Sequence, residues 1–329
     1  MILTGPPSGN QEGVFWRQCP YCACPMSRKL LNGNDIPSLS LLDTTEFALV
    51  SCTACNTTFV NPFPTEGRLM GYYPSDYYDD GNVRSAGPIH RTARLKSAVN
   101  AFSLSATKTT LDHPPRVLEV GCAHGENLVH FIQAGWESYG LEPNQRLANM
   151  AADRGVRVVR GYLTDARIFP DRMDVILMNH VLEHVSNPRD YIAVCFSLLS
   201  PSGLLFIEVP VLETVSFAIC GRFYGNLEFP LHATFLSPNT LCRILREEGF
   251  VIQSRRRLGM LGTLQRTFER RFPTIRGSKS RLKFFLMLWT AACQFLVSSI
   301  DAMSFRGDAF CVVARKNAFE EGGVSVHPL

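Results

Sequence analysis

The sequence predicts an α/β fold: one doubly wound, mostly parallel sheet of seven strands with helices on both faces, a small cysteine-bearing module ahead of it and a helical insertion before its last strand. Three observations predict it. After Pro114 and Pro115, short apolar runs alternate with amphipathic stretches of helical period. The first of these runs, 117–120, ends in a turn with Gly121 and Gly125 and passes at once into a helical pattern. Upstream stand two C-x-x-C pairs, Cys19 with Cys22 and Cys52 with Cys55.

Size and charge agree with this organisation. A chain of 329 residues with 46% hydrophobic content can bury a full core and keep a small appendage. Its net charge of +4 is far from the dense basic stripes of a nucleic-acid binder, so small molecules or glycans are the expected partners and nucleic acid is not. Eleven cysteines, most of them scattered singly, do not form a disulfide framework and fit a reducing compartment. The first residues lack a basic stretch followed by an apolar one, so a cytoplasmic location is expected.

Taken in order, 1–15 is rich in glycine, proline and polar residues and is expected to lack fixed structure. Residues 16–85 carry the cysteine pairs, strand-like runs at 47–51 and 58–61, and a tyrosine- and turn-rich connector. The main domain is expected over 86–316, starting with a helix at 91–102 and carrying the insertion at 258–307, with a tail over 317–329. Its strands are expected at 116–120, 137–141, 157–159, 173–178, 203–209, 251–255 and 309–314. Its helices are expected at 127–134, 144–152, 188–199 and 238–248, the last with Ser237 as N-cap.

The glycine turn alone is a weak signal, because phosphate binders and plain tight turns use the same geometry. Two carboxylates argue against phosphate. Glu119, inside the strand before the turn, would repel a pyrophosphate but receive a cationic ammonium group. Glu142, at the end of the next strand, can accept from both hydroxyls of a ribose. The ligand implied is a nucleoside bearing a positively charged amino acid.

With these residues, and with DVILMNHVLEHV and LLSPSGLLFIEVP further on, the chain over about 115–315 resembles the class I S-adenosylmethionine (SAM)-dependent methyltransferases, whose sheet is Rossmann-like. The resemblance implies that Glu119, Gly121, Cys122, Ala123 and Gly125 line the methionine and ribose side and that Glu142 binds the ribose hydroxyls. It implies that Tyr162 and Leu163 flank the adenine and that Asn179 and His180 cover the methionine portion. Two positions depart from the family pattern. Ala123 replaces a glycine, a small change that is tolerated if its φ is negative, and Tyr162 stands where an acid is usual, with Asp165 three positions on.

Each C-x-x-C pair can place two thiolates on one metal, which predicts a closed, tetrahedral, structural Zn2+ site of Cys19, Cys22, Cys52 and Cys55 with Cys24 a bystander. A four-cysteine ribbon, the FVNPFP link and a tyrosine-rich stretch ahead of the SAM domain resemble bacterial methyltransferases of sugar and polysaccharide biosynthesis. By that resemblance Tyr72, Tyr73, Tyr77 or Tyr78 touches substrate, and the reaction is O-methylation of a sugar or nucleotide-sugar. C- or N-methylation of a deoxysugar or natural-product acceptor, and a non-catalytic SAM-fold binding protein, are the alternatives.

Removing a proton from the acceptor needs a base near the strand ends. His232, in FPLHATFLSP, matches an H-x-x-[FY] element of the resembled family and is the first candidate. Glu183 and His184, placed at the start of the helix after the fourth strand, are read more as shaping the pocket, and Tyr224 and Glu228 as acceptor wall. Leading into and through the insertion, ten Arg and Lys residues from Arg255 to Lys283 precede an apolar stretch at 284–300. This stretch is short for a membrane span. Packing on its own domain or on the partner of a homodimer, peripheral contact with the inner membrane face through 270–300, and a true span are the three readings.

Overall fold

A computed structural model describes residues 2–4, 14–15, 17–37, 44, 46–72, 113–164, 166–169, 172–258, 263–271 and 307–317. The connector and the helix expected at 91–102, the apolar stretch 284–300, and Tyr73, Tyr77, Tyr78, Asp165 and Lys283 lie outside these residues. Two pieces of the segment expected to lack structure are strands: β1 (Ile2–Thr4) and β2 (Val14–Phe15). Each gains backbone partners by antiparallel pairing, β1 on β3 (Met26–Asn32) and β2 on a short strand over Phe63–Pro64. β4 (Ala48–Cys52) and β5 (Thr58–Asn61) continue from β3, β6 is Phe63–Pro64, and α1 (Glu66–Gly71) follows.

The strands of the main sheet are β7 (Arg116–Val120), β8 (Glu137–Leu141), β9 (Arg157–Val159), β10 (Met173–Asn179), β11 (Leu199–Pro210), β13 (Phe250–Leu258) and β14 (Ala309–Lys316). Between β11 and β13 lies the two-residue β12 (Thr234–Phe235). The helices after α1 are α2 (Glu126–Gln133), α3 (Gln145–Asp153), α4 (Pro188–Leu198), α5 (Val215–Cys220), α6 (Pro238–Glu247) and α7 (Thr263–Arg271). The seven-stranded sheet runs β13-β14-β11-β10-β7-β8-β9, with β14 antiparallel to both neighbours and the rest parallel. This is the Rossmann-like sheet the sequence predicts, with strand order reversing beside β7, where open α/β sheets bind ligands. β11 starts four residues earlier than expected, directly from the end of α4.

Why these residues form this sheet is visible in the apolar runs. β7 and β10 are buried on both faces. Leu118, Val120, Ile176 and Met178 join one helix layer, while Val117, Val175 and Leu177 join the other. Side chains at the helix N-termini satisfy otherwise unpaired donors: the Leu147, Arg189 and Thr240 N–H groups donate to Asn144, Asn187 and the expected Ser237.

The second sheet, β1-β3-β4-β5-β12, crosses from the N-terminal segment into the main domain, because β12 pairs antiparallel with β5 (Thr234 opposite Phe59, Phe235 opposite Thr58). Arg17 reinforces the junction. It donates to Ser186 O at 2.6 Å, Ala233 O at 2.7 Å and Thr234 Oγ1 at 2.9 Å, and its guanidinium lies 4.2 Å from the Phe63 ring centroid. Phe47, Phe63, Leu69 and Tyr72 of the N-terminal segment share one apolar cluster with Tyr224, Leu227, Phe229 and Leu231. Tyr72 is therefore a core residue, edge-on to Phe47 at 5.8 Å, and not the substrate contact expected. Tyr224 is likewise fully buried, its hydroxyl donating to Asp308 Oδ1 at 3.1 Å, so it does not form an acceptor wall. Among the described residues no helix is long and apolar enough to cross a membrane.

Candidate functional site

At the end of β7 the chain turns through Gly121 (φ 68°), Ala123 (φ 48°) and Gly125 (φ 77°) into α2. A Cβ on Gly121 would lie 2.9 Å from Val181 Cγ2, and one on Gly125 3.0 Å from Ala151 Cβ, so both positions combine a left-handed backbone with no room for a side chain. The condition of a negative φ at Ala123 is not met. The residue takes the left-handed conformation at a cost of about 1–2 kcal/mol, and its N–H donates to Glu142 Oε2 at 2.9 Å, which holds it there.

Glu142 is buried and accepts a second bond at Oε1 from Asn144 N–H at 2.9 Å. Burial pushes its pKa up, against the two amide donors that stabilise the charge. Each carboxylate oxygen carries two lone pairs, so acceptor capacity remains for a diol. Glu119, also buried, accepts from Asn127 Nδ2 at 2.5 Å and Asn179 Nδ2 at 3.2 Å. These residues fit a cationic nucleoside: two buried carboxylates flank a tight glycine turn at the end of β7. Cys122 contributes backbone to this turn while its thiol packs under β8, since a Cβ on Gly140 would come within 2.5 Å of Sγ. Burial, with Glu119 and Glu142 nearby, pushes that thiol up. Of the adenine-side pair, Leu163 is buried in the sheet core and the half-buried Tyr162 keeps exposed surface.

A second cluster forms where β10 and β11 end. His180 (φ 55°) has its ring between Glu183 Oε1 at 3.0 Å and Glu208 Oε1 at 3.4 Å. Burial alone would lower its pKa, but the hydrogen bonds and charges of the two carboxylates together lift it to about 10, so it is an imidazolium. Asn179 is thereby drawn to the cofactor loop, and His180 to this cluster. Glu183 and His184 lie on a short 3-10 turn, not at the start of α4, which begins at Pro188. His184 Nδ1 bonds Leu231 O at 3.0 Å, and its ring meets that of His232 edge-on at 4.9 Å.

His232 is 6% exposed, with Nδ1 donating to Asn226 O at 2.7 Å. Its Nε2 therefore carries the lone pair, 3.6 Å from Glu228 Oε2 and 4.0 Å from Glu183 Oε1. Burial drives its pKa down to about 4, outweighing the opposing pull of Glu228. Glu228 itself sits at φ 31° in the loop. Strained φ at both His180 and Glu228 is typical of functional sites. The sequence did not single out Glu208, Asn127 or Asn226. Glu208, an acid within an apolar strand two residues before Pro210, is the one that carried a local signal.

The four cysteines come together as expected. Sγ separations are 3.4 Å for Cys19–Cys55 and 3.5 Å for Cys22–Cys52 and Cys22–Cys55, and all four donors lie within 4.8 Å of one another. A tetrahedral zinc with Zn–S near 2.3 Å separates its sulfurs by about 3.8 Å, so the donor set fits the ion. Cys24 lies outside it, with its thiol toward Met26 O and Thr53.

Comparison with known proteins agrees with the fold. The description of a methyltransferase domain matches residues 89–255, half of the chain. The protein belongs to this family of methyltransferase domains, and its sheet is that of the class I, SAM-dependent enzymes. It is 24% identical over 143 residues to a ubiquinone biosynthesis O-methyltransferase of Rhodopseudomonas palustris (strain TIE-1), covering 40% of this chain and 56% of the relative. It is 28% identical over 138 residues to the C-methyltransferase NovU of Streptomyces niveus, covering 40% and 32%. The similarity thus spans about half the length of the first relative and a third of the second. Among solved structures, a SAM-dependent methyltransferase from Archaeoglobus fulgidus has a TM-score of 0.50 at 20% identity, covering 74% of this chain and 100% of that one, a likeness of fold.

Proposed function

We propose that the protein transfers the methyl group of SAM to a hydroxyl of a small-molecule or glycan acceptor, with a sugar or nucleotide-sugar as the acceptor class. The observation that carries the cofactor is the pair Glu119 and Glu142 around the turn 121–125. Glu142 would take the ribose hydroxyls and Glu119 the ammonium end, with Asn179 between them. Tyr162 and Leu163 would border the adenine. When bound, SAM supplies an electrophilic methyl group on a cationic sulfur.

The chain's own part is to hold an acceptor oxygen in line with that methyl and to receive its proton. His232 is the proton acceptor in this reading. It is neutral at physiological pH, its tautomer is set by Asn226 O, and Glu228 and Glu183 lie where they would stabilise the imidazolium as the proton arrives at Nε2. His184 and Glu183 fix the pocket around it. The four thiolates would hold a structural Zn2+ with no position open to substrate. The acceptor class rests on the resemblance of the whole layout to sugar-modifying enzymes. NovU, named a C-methyltransferase, favours carbon as the second acceptor atom to examine.

Calorimetry on zinc-loaded protein with SAM and S-adenosylhomocysteine tests the cofactor, and absence of binding would end the enzyme reading. Labelled SAM with a panel of nucleotide sugars tests the acceptor, product linkage separating oxygen from carbon. For partners, peripheral contact of 270–300 with an anionic membrane at the cytoplasmic face is supported by the exposed Arg271 at the end of α7, whereas Arg270 donates to Tyr224 O. Flotation with anionic liposomes should then depend on Arg271 and Lys283, and sedimentation would reveal a homodimer.

A further inference from the structure

α7 packs across the loop that carries the acceptor-side residues. Gly225 N–H donates to Thr267 Oγ1 at 2.9 Å, Arg270 donates to Tyr224 O at 2.6 Å, and a Cβ on Gly225 would lie 2.4 Å from Thr263 O and 3.0 Å from Arg266 Cβ. The junction is Asn226, which is 2% exposed. Its Oδ1 accepts from Arg266 and, at 3.4 Å, from Thr263 Oγ1, and its Nδ2 donates to Tyr224 Oη at 3.3 Å. Its backbone oxygen is the group that accepts from His232 Nδ1.

A carbonyl can only accept. While Asn226 O faces the ring, the proton must sit on Nδ1 and the lone pair on Nε2, toward Glu228 and Glu183. The peptide unit at 226 lies outside helix and strand, held on its N–H side by one turn bond from Leu227 N–H to Tyr224 O at 3.0 Å. Anchoring of the Asn226 side chain adds the second hold on its direction. We propose that Arg266 is a positioning residue for His232: by holding the Asn226 side chain it fixes the carbonyl that sets the imidazole's tautomer and aim. This deepens the reading of His232 as proton acceptor and assigns a task to a residue that the sequence groups with a basic surface run.

The test is nitrogen-edited NMR of the histidine rings in the full-length, zinc-loaded protein with S-adenosylhomocysteine bound, for the parent, Arg266→Met and Arg266→Lys, beside steady-state kinetics. The parent should show a single Nδ1–H tautomer at His232. Arg266→Met should give a mixture of tautomers and a kcat lower by about tenfold, with acceptor KM and SAM affinity little changed. Arg266→Lys, which keeps a donor, should recover most of both signals. An unchanged His232 tautomer in Arg266→Met overturns the proposal, as does a kcat loss that comes with equal loss of SAM affinity. If Arg266→Met does not fold, Arg266→Gln, which withdraws the guanidinium from Asn226 Oδ1 and keeps a polar side chain, should shift the same ring signal, and no shift counts against the proposal. Should His232→Ala leave kcat intact, the proton-acceptor reading fails, while the ring spectrum still decides whether Arg266 governs the tautomer.

Discussion

The glycine turn after β7 and the histidine cluster lie at the same end of one sheet and are built in opposite ways. The loop is local: Glu119 to Gly125 are contiguous, and Glu142, one strand away, closes it by accepting the Ala123 N–H while Asn144 N–H holds its other oxygen. The cluster is assembled from the ends of β10 and β11, the loop 224–232 and, behind it, α7, with the N-terminal sheet packed over the whole. A locally built site withstands damage elsewhere. One gathered from four segments reports on each of them.

The largest effect should separate the two directly. His232→Ala is expected to lower kcat about 10²–10⁴-fold, the usual worth of general-base catalysis, while SAM affinity measured by calorimetry stays near the parent value. Glu142→Ala should do the reverse, weakening SAM about 100-fold through loss of the ribose contacts and release of the Ala123 and Asn144 amides. Equal loss of both quantities in either variant would mean that the two regions are not separable. Cys52→Ser or chelation should remove one zinc per chain by elemental analysis and reduce turnover more than SAM affinity, because β5 carries β12 and with it the loop of His232. His184→Ala should leave the zinc content unchanged.

pH sharpens the comparison further. The folded-state pKa of His232, about 4, lies below the unfolded 6.5, so its contribution to stability is complete above pH 6.5 and is lost as pH falls toward 4. That loss amounts to about 3 kcal/mol. Denaturant titrations of His232→Phe should accordingly show a flatter acid slope than the parent. His180, raised to about 10, has the opposite sign: its contribution is complete below pH 6.5 and lost as pH rises toward 10. The smallest effect belongs to the loop. Ala123→Gly should relieve the left-handed strain and raise stability by about 1 kcal/mol, seen as a modest increase in Tm with SAM affinity retained.

This division also explains what the sequence made legible. The seven strands, the Ser237 cap, the two carboxylates and the cysteine pairs are encoded in runs of a few residues, where apolar period, capping chemistry and ligand spacing act over short range. The left-handed φ of Ala123 was not legible, because it is held by a hydrogen bond to Glu142, nineteen positions away. Tyr72 and Tyr224, read from the sequence as substrate-side residues, are each buried by contacts between segments more than a hundred residues apart. β12 is two residues long, too short for any alternation to announce it, and Asn226 matters through its backbone oxygen, which no side-chain pattern encodes.

That two-residue strand bears on how the protein can be taken apart. Thr234 and Phe235 lend their backbone to a sheet whose other strands come from the first 61 residues. A fragment starting at residue 86 would carry an unpaired strand edge beside Leu227, Phe229 and Leu231 stripped of their cover, a surface prone to aggregation. The N-terminal strands and the methyltransferase domain are not interchangeable cassettes. A chimaera that borrows one from a relative must borrow the segment 224–235 with it, and shuffled libraries should survive only where that rule is kept.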